Sequence, residues 1–187
     1  MTTNAAIGDF VDACIVDPAA ARRLAAENPL LLQARWAGDP LLHWIVIENF
    51  AVGATTLLGL GVPVDERDEA GCTPLFYAAI LGRTDCARLL LDRGADPNAL
   101  NDRLHGNPLH CSVRSQSIDC AYLLLERGAR GDYQLDTMET VFHAMRDWPP
   151  IQRDALVEAL ARRGTTRSAV FAKLAGGYSS PEEAFGW

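Results

Sequence analysis

The chain has 187 residues, 49% of them apolar, and a formal net charge of −7. That length and apolar fraction suit one folded domain with a full core, while the acidic balance excludes the basic patch that nucleic acid or an anionic membrane surface would require. Five cysteines, an odd number without framework spacing, fit reduced thiols in a cytoplasmic protein.

The first elements are a helix pair, Ala5–Cys14 and Pro18–Ala26. Asp17 is placed to cap the second helix and Pro18 to occupy its first turn, where no intrahelical N–H is needed. Asn28-Pro29 ends it. Met1–Phe10 carries neither a basic stretch nor a long apolar core, so no secretory signal is expected. From Leu41 to Val64 the chain is strongly apolar, but Glu48, Asn49 and three glycines break the run and argue against a membrane span.

Arg35–Arg67 is the first copy of a repeat. Its Gly38, Leu42, Leu57-Leu58 and Gly61 stand 33 residues before Gly71, Leu75, Leu90-Leu91 and Gly94. The second copy, Asp68–Leu100, is the clearest. Asp68 and Gly71 shape a tight tip, Thr73 caps a helix begun by Pro74, and Leu75, Ala78 and Ala79 give that helix a face of small residues. Gly82 ends it, Cys86, Leu89 and Leu90 form the apolar stripe of a second helix, and Gly94 stops that one. In the third copy Pro108-Leu109-His110 follows Pro74-Leu75-Phe76 at an offset of 34, with one extra residue before Pro108, Asn107 as the cap and Gln116 in place of Gly82. The fourth begins near Leu135, has Thr140-Val141-Phe142-His143 at the helix start and Trp148-Pro149-Pro150 between its helices, and closes at Gly164. A final helix is expected over 168–175, then a mobile tail, 176–187. Its Phe185 and Trp187 either pack back onto the last repeat or form a short docking peptide.

A period of 33–34 residues with the pattern Thr73-Pro74-Leu75-x-x-Ala78-Ala79 resembles the ankyrin repeat. The resemblance implies an all-α solenoid of stacked helix-turn-helix units joined by short hairpin-like connections. It would form a single domain over 1–175: an opening cap at 5–34, repeats at about 35–67, 68–100, 101–134 and 135–167, and the closing helix.

Histidines 43, 110 and 143 share one register position, where the resemblance implies a hydrogen bond between repeats, and they are too dispersed to hold one metal ion. His105 falls at a tip. Cys86 and Cys120 occupy equivalent core positions, whereas Cys72 at a tip and Cys111 on an inner helix are expected to be the more accessible thiols. No phosphate loop, dinucleotide glycine pattern, nucleophile elbow or zinc-protease motif is present, so no catalytic, cofactor or metal site is assigned. The enzyme alternative is a thiol or metal chemistry built on Cys111, His110 and His105.

By the same resemblance the hairpin tips and first helices form a concave binding face. Carried onto this chain, it comprises Trp36, Asp39, Ile47 and Glu48, then Glu66, Glu69, Ile80 and Leu81, then Arg103, Leu104 and Arg114, and last Asp136, Glu139, Asp147 and Trp148. Apolar anchors rimmed by carboxylates suit a protein partner with a basic surface. The implied role is a non-enzymatic protein-binding module, monomeric when unbound. It would be an inhibitor or immunity protein that neutralises a bacterial toxin, or else an adaptor or assembly factor. Sixteen arginines beside the single Lys173, with abundant alanine, match a GC-rich bacterial genome.

Overall fold

The computed structural model describes residues 3–101, 106–132, 140–171 and 180–186. Among them the chain is all-α but for one two-residue strand pair and a single isolated bridge. Contacts group the chain into two compact units, Met1–Ala78 with Arg83–Asp96, and Ala79–Gly82 with Pro97–Trp187.

The first unit opens with α1 (Asn4–Val16) and α2 (Pro18–Glu27). Asp17 caps α2 as expected, its Oδ1 accepting from the N–H groups of Ala19 at 3.1 Å and Ala20 at 3.0 Å. A 3-10 turn, Pro29–Gln33, leads to β1 (Arg35–Trp36) and β2 (Asp39–Pro40). Ala37 and Gly38 between them both take positive φ, 52° and 98°, the primed turn that matches the twist of a two-residue hairpin. Helices α3 (Leu41–Ile47) and α4 (Ala51–Gly59) follow, and α4 packs on α1, α2, α3 and α6 (Thr84–Asp92). Between α4 and α6, α5 (Pro74–Ile80) crosses from one unit into the other. Phe10, Cys14, Ala21, Leu42, Ile45, Leu57 and Leu90 are fully buried here.

In the second unit α7 (Pro108–Arg114) packs on α8 (Ile118–Glu126) and on α9 (Val141–Ala144), and α8 on α10 (Pro150–Arg162). The extra residue of the third copy sits in its tip: Asn101 N–H reaches Gly106 O at 3.0 Å across five residues, where Asp68 N–H reaches Cys72 O at 3.1 Å across four. Asn107 caps α7, accepting from His110 N–H at 2.8 Å. The closing helix is α11 (Arg167–Phe171). The expected mobile tail needs correcting at 181–185, which form α12 (Pro181–Phe185), capped by Ser180 Oγ on Glu183 N–H at 3.1 Å. Phe185 is fully buried, its ring 5.3 Å from that of Phe142 and 5.1 Å from His143.

Two backbone positions recur along the copies, the first in all four and the second in the first three. Gly61, Gly94, Gly128 and Gly164 end the second helices at φ between 80° and 92°, and the next N–H reaches back to the carbonyl five residues earlier, as from Ala95 to Leu90 at 3.0 Å. This is the Schellman closure that satisfies the last turn of a helix. Between the paired helices Asn49, Gly82 and Gln116 adopt φ of 65°, 66° and 59°, each followed by the same reach-back bond.

Candidate partner-binding surface

The second hairpin tip is fixed by Asp68. Its Oδ1 accepts from Cys72 N–H at 2.8 Å and its Oδ2 from the Tyr77 hydroxyl at 2.7 Å, so this carboxylate is turned inward and buried rather than lying on the rim. Burial first, then the Asp68 bond, pushes the Tyr77 phenol far above its usual range. Cys72 O accepts from His43 Nε2 at 3.0 Å, the inter-repeat bond that the histidine position implies. Cys72 is therefore completely buried, and so nearly is Cys111, contrary to the expectation that they are the accessible thiols. All five cysteines are buried thiols, and burial pushes Cys14 up to about 12.

His143 also caps its own helix. Its Nδ1 lies 3.1 Å from Thr140 N and 2.9 Å from Thr140 Oγ1, a capping box within its own repeat. His110 is buried beside Cys111, both bordering the backbone of Gly106, and neither is open to a substrate. His105, the third member of the enzyme alternative, lies outside the described residues. Among the described residues no three His, Cys, Asp or Glu side chains converge as a metal site would require.

In the first unit Trp36 and Asp39 face each other across the hairpin, both half-buried. Glu48, at the end of α3, and Glu69, at the second tip, are exposed; Ile47 and Glu66 are half-buried. Arg83 Nε donates to the Ile47 carbonyl at 3.1 Å. Trp44, absent from the sequence-based set, stands between two other rings, 6.1 Å from Trp36 and 6.1 Å from Phe50. It occupies the position held by Tyr77 in the second copy, after the residue that aligns with histidine, and that alignment was the available signal. The first unit carries thirteen carboxylates against seven arginines, so six of the chain's seven net negative charges belong to it.

In the second unit Leu81 is 42% exposed and Ile80 half-buried, while Arg114 and Asp147 are exposed. Trp148 is corrected. It is only 4% exposed, and its buried indole N–H meets no acceptor among the described residues, so it is a core residue and not an anchor. Of the two prolines after it, Pro149 is the N-cap of α10 and Pro150 its first residue. Arg103, Leu104, Asp136 and Glu139 lie outside the described residues. A cleft of about 300 Å³ lies among Gly128, Arg130, Asp132, Arg163, Gly164 and Val170. Its Arg130 guanidinium is held by both oxygens of Asp132, at 3.1 and 3.0 Å, which answers the charge an anionic ligand would need.

The sequence matches the family model described as Ankyrin repeats (3 copies) over residues 17–101 and 42–135. It is 33% identical over 116 residues to palmitoyltransferase AKR1 of Kluyveromyces lactis, covering 62% of this chain and 15% of that protein. To protein phosphatase 1 regulatory subunit 27 of Homo sapiens it is 39% identical over 66 residues, 35% of this chain and 43% of the other. To a putative ankyrin repeat-containing protein of Treponema pallidum it is 42% identical over 62 residues, 33% of this chain and 21% of the other. The chain thus spans less than half the length of each of these relatives.

Proposed function

The chain belongs to the ankyrin-repeat family, and from that membership we propose that it is a non-enzymatic module binding a protein with a basic surface through its tip and first-helix residues. The observation that carries this reading is the set of outward side chains, Ile47, Glu48, Glu69 and Leu81, at positions where Asp68, Gly71, Thr73 and Gly82 already meet the needs of the backbone. The acid surplus of the first unit supports the sign of the partner's charge. A relative named as a regulatory subunit of a phosphatase supports action through binding. The palmitoyltransferase match covers too little of that enzyme to lend its activity. We take the protein to be a cytoplasmic, bacterial monomer until it meets its partner. An inhibitor, including an immunity protein neutralising a toxin, and an adaptor use the same surface. They part on whether the client's activity is lost or kept in the complex.

Surface plasmon resonance against the purified partner, captured from the source cell and identified by mass spectrometry, tests the reading. Leu81→Arg lowers affinity about tenfold or more with an unchanged melting temperature, and Trp36→Ala weakens it too. Glu66→Lys with Glu69→Lys slows association at low salt, and the difference shrinks at high salt. Arg88→Glu, exposed on α6, leaves affinity as it was. Parental binding by the first three variants, with loss in Arg88→Glu, overturns the proposed surface.

A further inference from the structure

The first unit holds an aromatic band that the fold only half covers. Trp36, Trp44 and Phe50 follow one another at 6.1 Å spacings, and Phe50 is 36% exposed while both indoles are half-buried. Helix α1 runs beside the band. At one end the Trp36 ring lies 3.4 Å from where a Cβ on Gly8 would stand, so the missing side chain makes the floor for the ring. At the other end Ile15 meets Gly53 of α4, the helix that Phe50 caps. Gly8 and Ile15 are seven residues apart, about 10.5 Å of helix, close to the length of three rings at this spacing. Asp12 lies between them in sequence, one turn beyond Gly8 on the helix face that Trp36 meets. Asp12 is exposed. Glu48, exposed four residues after Trp44, adds a carboxylate one helical turn from that residue. Neither acid forms an ion pair among the described residues.

We propose that this band, with Asp12 and Glu48, receives an arginine side chain flanked by apolar residues of the partner protein. The inference rests on the protein-binding reading above. An indole face attracts a cation through its quadrupole, a planar guanidinium stacks on it where an ammonium cannot, and the fork of the same group pairs with a carboxylate at the edge of the ring. The first unit's surplus of six negative charges adds a field of the right sign.

The probe is the peptide acetyl-Ala-Leu-Arg-Leu-Ala-amide, titrated into the full chain and followed by the indole N–H resonances, assigned with single Trp→Phe variants. Its control is the same peptide with citrulline, which keeps the shape and loses the charge. The arginine peptide shifts Trp36 and Trp44 saturably and leaves Trp148 unmoved. Citrulline, Asp12→Asn and Trp44→Leu each weaken it by about three- to tenfold, with thermal melts verifying that the variants are folded. Equal binding of both peptides at the same indoles overturns the arginine assignment but leaves a protein-binding surface. No shift with either peptide also overturns it, and the Leu81→Arg measurement then decides the broader reading independently.

Discussion

Gln116 is the residue at which this chain departs most visibly from what its backbone asks. It holds φ of 59° at the turn where the preceding copies place Asn49 and Gly82. A left-handed conformation costs a residue with a Cβ roughly 1–2 kcal/mol, which asparagine partly recovers and glycine does not pay. Glycine loses more backbone freedom on folding, so the two effects partly cancel. Gln116→Gly is expected to stabilise the protein by about 0.5–1 kcal/mol in urea melts. Destabilisation would mean that the exposed glutamine side chain contributes more than its position indicates. Single residues were also where the sequence was hardest to interpret. Cys72 sits at a tip, but tip residues alternate in direction, and its carbonyl's bond to His43 draws the backbone inward. Asp68 was legible as a tip residue, but its two hydrogen-bond partners, the Cys72 N–H and the Tyr77 hydroxyl, were not.

At the scale of elements most of the architecture was legible, because helix ends are written in residues with definite backbone needs. Asp17-Pro18, Thr73-Pro74 and Asn107-Pro108 begin helices, and the glycines at 61, 94, 128 and 164 end them. The fourth copy was legible only in outline. Its inner helix shrinks to Val141–Ala144 and its outer one lengthens to Pro150–Arg162, so positions carried over by fixed spacing no longer correspond, and Trp148 moves from the surface to the core. The aromatic band was missed for a different reason: a ring's neighbours come from three elements, and no single periodicity lists them. Gly131 tests how tightly the junction after α8 is closed. A Cβ there would run into the fully buried Leu160 side chain of α10 and press on Thr165. Gly131→Ala is expected to cost about 1–3 kcal/mol by overpacking, measured as a lower urea midpoint with an unchanged slope.

For the molecule as a whole, charge and closure are distributed unevenly. Nearly all the net negative charge lies in the first unit, and the second instead ends on an aromatic seal. Phe185 is fully buried against Phe142 and His143, so Phe185→Ala is expected to cost about 3–5 kcal/mol, read by calorimetry. A change within a few tenths of a kcal/mol would mean that α12 contributes nothing to the last repeat.

That seal also bears on how such a chain grows in evolution or in the laboratory. In the array the first copy offers its histidine to the tip of the next, His43 donating to the Cys72 carbonyl. In the fourth copy the His143 Nδ1 is engaged by Thr140, and the Phe185 ring packs 5.1 Å from the imidazole. The fourth copy is thus covered by a phenylalanine. Splicing a further repeat after Gly164 would first require evicting that phenylalanine, whereas duplicating the Asp68–Leu100 segment in place would leave the seal untouched. Internal duplication is the cheaper route by which this array lengthens.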